Sequence, residues 1–179
     1  VSRGLGDVYK RQDLKKILDT FPKAAHPMGI LSSLTSALIA FNPTKKISLI
    51  KDEIELKNYE YGLIVKLLAK IPILVSWVHR KRNGLPLDYG NYNLGYVENI
   101  TKMMFQRPHQ DYFQNDIVVS AMNKLLILHA DHEQNCSTST VRIVGSSEAS
   151  LFASVSAGIS ALWGRLHGGA NQAVLDMLE

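Results

Sequence analysis

The chain has 179 residues, 46% of them hydrophobic and 20% charged, with a formal net charge of +4 at pH 7. That balance fits one soluble globular domain, or one and a fraction, with a sizeable core, and shows neither a membrane-spanning run nor a signal peptide. The single cysteine, Cys136, excludes an internal disulfide framework and fits a reducing, cytoplasmic compartment.

In chain order, residues 1–12 (VSRGLGDVYKRQ) have no apolar period and read as a foreign or uninformative leader. The domain proper is expected over 13–179, with a helix opening at Asp13. Its apolar residues Leu14, Ile17, Leu18 and Phe21 share a face, and Pro22 ends it. A second helix starts at His26-Pro27, where proline suits the first helical position, and stops at Asn42-Pro43. A longer helical stretch runs from about Ile47 to Arg82, with Pro72 expected to kink it or break its hydrogen-bond ladder. After a loop rich in Asn and Gly, helices are predicted over Tyr92–Phe105 and Asp116–His129. Gln172 to Glu179 again has an amphipathic helical pattern, with no capping glycine or polar tail after it. Alternating strand patterns are absent, so the fold class is all-α, with antiparallel helices joined by short loops. The abrupt ends suggest a fragment.

The stretch from His129 to Asn171 concentrates the chemistry. It holds His129, His132 and His167, separated by small residues and hydroxyls that allow close helix packing. His129 and His132 are three apart and share a helix face. The order His-x-x-His-Glu is neither the zinc-protease pattern nor its inversion, and no further Cys/His pair stands nearby, so a metal site is disfavoured. His26, His79 and His109 have no motif around them and read as structural or surface residues. His167 precedes Gly168-Gly169, read as a turn entering a helix with room for a substrate to reach the backbone. A neutral imidazole there can donate an N–H to a carbonyl that is becoming an enolate. Without GxGxxG or a Walker lysine, the glycine pair does not indicate nucleotide binding.

The segment LHADHEQNCSTSTVRIVGSSEASLFASVSAGISALWGRLHGGAN resembles the citrate synthase family in its bacterial form. So do FPKAAHPMGILSSLTSALIAFNP at 21–43 and VENITKMMFQRP at 97–108, in order and with matching spacing from Asp13 to Glu179. The resemblance implies a multi-helical, citrate synthase-like fold, mostly large-domain helices and truncated at the C-terminus. It implies an acyltransferase that condenses acetyl-CoA with oxaloacetate and hydrolyses citryl-CoA. By the same likeness His167 is the catalytic histidine that hydrogen-bonds the acetyl thioester oxygen. His132 binds oxaloacetate, Asn135 and Ser137 line the same site in a supporting role, and His129 and Asp131 are structural. The substrates are the partners, with a homo-oligomer (dimer or hexamer) expected for the full-length protein. No metal, redox cofactor, nucleic acid or membrane is implied.

Three departures from the family pattern stand out. Arg165 occupies a usual proline position, and His109 lies where some members carry a cysteine linked to NADH inhibition. The chain also ends before the second catalytic histidine, the catalytic aspartate and most oxaloacetate-binding arginines. The fragment alone is therefore expected to be inactive. Two alternatives are a 2-methylcitrate synthase using propionyl-CoA, which shares these motifs, and a non-catalytic basic helical module binding nucleic acid or a partner. The basic residues are scattered apart from Lys45-Lys46 and Arg80-Lys81-Arg82, which gives the second little support.

Overall fold

The computed structural model describes residues 5–42, 49–91, 93–130 and 134–178, with side chains at 5–11, 170 and 171 left aside. The described residues form eight helices and no strand. These are α1 (Leu5–Thr20), α2 (Pro27–Phe41), α3 (Glu53–Arg82), α4 (Tyr96–Phe105), α5 (Asp116–Ala130), α6 (Cys136–Gly145), α7 (Leu151–Leu162) and α8 (Gly168–Leu178). The all-α expectation holds. Four helix starts differ from the sequence pattern. The first helix begins at Leu5 rather than Asp13, α3 at Glu53 rather than about Ile47, α4 at Tyr96 rather than Tyr92, and α8 at Gly168 rather than Gln172. Two compact units are present: Val1–Leu67 with Cys136–Glu179, and Leu68–Asn135.

In the first unit α2 packs against α1 and α7, and α7 packs against α6. Leu14 and Leu18 of α1, Ile30, Leu34 and Leu38 of α2, and Phe152 of α7 are buried, following the helical spacing that marked them as apolar faces. Serines stitch α2 to α7. The Ser156 hydroxyl donates to the Ser32 carbonyl at 2.8 Å, and the Ser32 and Ser160 hydroxyls meet at 2.7 Å. Such small polar groups let the two helices approach while satisfying each other.

The second unit is built on the C-terminal half of α3. Trp77 is 1% exposed, and its indole N–H donates to the Asp88 carbonyl at 2.8 Å. Arg80, at 4% exposure, is the unexpected core residue. Its guanidinium donates to the carbonyls of Pro86, Met103 (2.9 Å) and Gln106 (2.9 Å), tying the loop after α3 to the end of α4. One member of the basic run Arg80-Lys81-Arg82 thus supplies a buried fork of donors.

Pro72 lies inside α3 without ending it. Having no N–H, it leaves the Leu68 carbonyl, four residues back, without its helical donor. The Tyr96 hydroxyl donates to that carbonyl at 3.0 Å. Partial burial pushes the Tyr96 phenol above its usual pKa. By length and composition α3 is also apolar enough to cross a membrane, contrary to the reading of the sequence, with an 18-residue window of mean hydropathy 1.7. Its buried Ser76, Trp77 and Arg80 have their partners within the folded unit, as a core helix does.

Asp88 gives this unit a pH dependence on the acid side. Burial by itself raises its pKa, but the Gly90 N–H, at 2.8 Å, and the Lys102 and Arg80 cations outweigh this and hold it below 3.8. A depressed carboxylate stabilises the fold above its unfolded pKa, and that contribution is lost as pH falls through the folded pKa. Asp88→Asn is expected to cost about 1 kcal/mol at pH 7. Urea titrations at a series of pH values should show the difference from wild type closing as the pH falls below the ordinary carboxylate range.

Helix α5 buries none of its residues. Ile117, Ile127 and Leu128 are 81%, 67% and 66% exposed. An apolar helix in water is an association liability. Light scattering behind size-exclusion chromatography should therefore give a mass that rises with concentration, and Ile127→Lys with Leu128→Glu should suppress the rise.

Candidate functional site

The site is assembled by the crossing of α6 and α7 and by the turn that follows. The Ser150 hydroxyl caps α7, accepting the Ala153 N–H at 3.3 Å. Gly158 makes the crossing possible, because a Cβ there would lie 2.5 Å from Val141 Cγ2 and 3.5 Å from the Ser137 carbonyl. The first turn of α6 is thereby seated against the second half of α7. Beyond Leu162 the chain turns through Trp163–Leu166. The turn is closed by His167 N–H to the Gly164 carbonyl at 2.9 Å and Gly169 N–H to the same carbonyl at 3.4 Å.

Gly168 is the first residue of α8. A Cβ at Gly168 would collide with the Leu162 carbonyl oxygen, so a helix starting this close to the end of α7 needs glycine there. The glycine pair that reads as a flexible turn is thus the first turn of a helix, and the turn itself lies one step earlier.

His167 is half-buried at the N-terminus of α8, with Nε2 3.0 Å from Ser137 Oγ. The hydroxyl either donates to a neutral ring nitrogen or accepts from it, according to the tautomer. Beside Ser137 an open groove of about 360 Å³ runs between α6 and α7, lined by Thr138, Val141, Arg142, Gly158 and Leu162. An imidazole held by a hydroxyl at a helix start, next to first-turn amides, can stabilise negative charge developing on a carbonyl oxygen.

The other candidates fall into place unevenly. Ser137 and His167 are brought together although thirty residues apart in sequence. Asn135 is half-buried and immediately precedes α6. His132, with Asp131 and Glu133, lies outside the described residues, which also removes the His-x-x-His-Glu metal reading from view. His129 folds back on its own helix, donating from Nδ1 to the Leu125 carbonyl at 2.7 Å. Arg165 is exposed in the turn, and His109 adopts a left-handed φ of 59° on the surface. His26 and Trp163, which no motif or spacing pairs, stack with ring centroids 4.8 Å apart. No local spacing signals that contact, since the residues belong to different helices.

The family described as "Citrate synthase, C-terminal domain" matches residues 6–179. Citrate synthase 1 of Mycobacterium tuberculosis is 49% identical over 168 residues, covering 94% of this chain and 38% of that protein. The citrate synthase of Corynebacterium glutamicum is 48% identical over 168 residues, covering 94% and 37%. Among solved structures, citrate synthase from Pyrobaculum aerophilum superposes with a TM-score of 0.77 at 33% identity, over 89% of this chain and 39% of that one. The chain thus spans well under half the length of these relatives.

Proposed function

The chain belongs to the citrate synthase family, and from that premise we propose that it supplies part of the active site of a transferase condensing acetyl-CoA with oxaloacetate. The observation that carries the reading is the Nε2–Oγ contact of 3.0 Å between His167 and Ser137 at the start of α8. An α-proton of a thioester is weakly acidic, so its removal needs a preorganised donor on the oxygen that becomes the enolate. His167 is that donor, with Ser137 setting its ring. His132, Asn135 and Ser137 serve the oxaloacetate dianion, whose carboxylates call for imidazole, amide and hydroxyl donors. Carbon–carbon bond formation gives citryl-CoA, and water then cleaves the thioester. The reaction calls for no metal or redox cofactor. The working form is a cytoplasmic homo-oligomer.

By itself the 179-residue chain lacks a carboxylate base near His167 among the described residues of its turn, and it is expected to release no CoA thiol from acetyl-CoA and oxaloacetate. A chimaera carrying the matched segment of this chain inside the mycobacterial relative supplies the remaining groups and is expected to release CoA steadily. Turnover by the chain alone would refute the half-site reading. A folded chimaera that binds both substrates without turnover would refute the assignment of His167. Offering propionyl-CoA beside acetyl-CoA reads the acyl preference in the same assay.

A further inference from the structure

We propose that His26 is a positioning residue for His167, acting through a ring stack on Trp163; this rests on the role given to His167 above. The turn carrying His167 is exposed at Trp163, Gly164, Arg165 and Leu166, and glycines flank it on both sides. Such a segment has many backbone states open to it. Its anchors are on two sides. Ser137 holds the imidazole itself, and His26 holds Trp163.

His26 is well placed for this. It is the N-cap of α2, and its Nδ1 accepts the Met28 N–H at 3.2 Å, which fixes the ring plane and leaves the neutral ring's proton on Nε2. The Trp163 indole lies on that ring with an interplanar angle of 18°. It also lies over Gly29, where an added Cβ would be 3.3 Å from Cζ3 and 3.4 Å from Cη2. The first turn of α2 is thus an indole seat with a glycine floor and an imidazole wall.

The seat is rigid, since Ile30, Leu34 and Leu38 bury α2 and Ser32 bonds it to α7. Trp163 in turn is fixed to α7 by its N–H to the Ile159 carbonyl at 3.0 Å. From Trp163 to His167 there is one turn closed through Gly164. A shift of the indole therefore moves the imidazole, and a displacement of an ångström at a reacting group is enough to cost rate.

Three substitutions separate the stack from the cap. His26→Asn keeps an N-cap acceptor and removes the ring, His26→Phe keeps the ring and removes the acceptor, and His26→Ala removes both. Two readouts are used: kcat and KM of the chimaera, and the rate of His167 carbethoxylation by diethylpyrocarbonate in the dilute 179-residue chain, read by peptide mass spectrometry. Asn and Ala are expected to lower kcat about tenfold with KM for oxaloacetate within about twofold, and Phe to keep at least about half of kcat. The modification rate of His167 should change several-fold in Asn and Ala and stay at the wild-type value in Phe. A purely structural cap gives the reverse order, with Asn like wild type and Phe like Ala in both readouts, and that result overturns the proposal. An inactive wild-type chimaera would count against the role of His167 alone, and the modification arm would still decide whether His26 positions it.

Discussion

Replacing His167 by alanine in the active chimaera is expected to lower kcat about a thousandfold while KM for oxaloacetate changes little. The effect follows from where the imidazole sits. Its ring is held by Ser137 at 3.0 Å and its backbone closes the turn onto Gly164, which orients it in advance for the role proposed above. A donor of this kind acts on charge that exists only while the α-proton is leaving, so its loss appears in kcat and leaves ground-state binding almost unchanged. Ser137→Ala should be milder, about tenfold, because it frees the ring without deleting it. Steady-state kinetics with circular dichroism as a check on folding would test both, and a kcat for His167→Ala within about fivefold of wild type would rule out the donor role.

Arg80→Ala is expected to destabilise the unit formed by Leu68–Asn135 by about 3–4 kcal/mol, from losing charged hydrogen bonds and orphaning buried carbonyls. The Met103 carbonyl keeps the Ser76 hydroxyl at 2.8 Å, but the Pro86 and Gln106 carbonyls lose the partner that holds them. Arg80→Lys should recover only part of the loss, since an ammonium cannot bridge three acceptors with a planar fork. Trp77, packed in this unit, reports the transition by fluorescence once Trp163 is changed to Phe. Urea midpoints indistinguishable from wild type would mean that solvent satisfies those carbonyls as well as the guanidinium does.

The sequence was a good guide wherever the physics is local. His26-Pro27 opens α2 because a proline suits a first turn, and the apolar period of α2 matches its buried face. The small-residue run at 150–160 did announce a tightly packed helix. What could not be read depends on partners distant along the chain. Arg80 has no local signal for burial until three carbonyls surround it, and Ser137 and His167, which only the family likeness placed in one site, have no local spacing that pairs them until Gly158 lets α6 and α7 cross. The apolar pattern of α5 carried no information about burial, since periodicity gives a face without saying what covers it. Gly168-Gly169 was ambiguous for a similar reason: glycine permits a turn, and it also permits a helix to begin against a neighbouring carbonyl.

The bond from the Tyr96 hydroxyl to the Leu68 carbonyl makes two distant positions depend on one another. Proline at 72 removes a donor from one helix, and tyrosine at 96 returns it from the next. Removing the tyrosine alone leaves the carbonyl to solvent, and restoring an N–H at 72 alone leaves the phenol without its task. Such a pair is inherited as a unit. In a lineage descended from this chain, a tyrosine lost at 96 should be tolerated soonest where the proline at 72 has already gone.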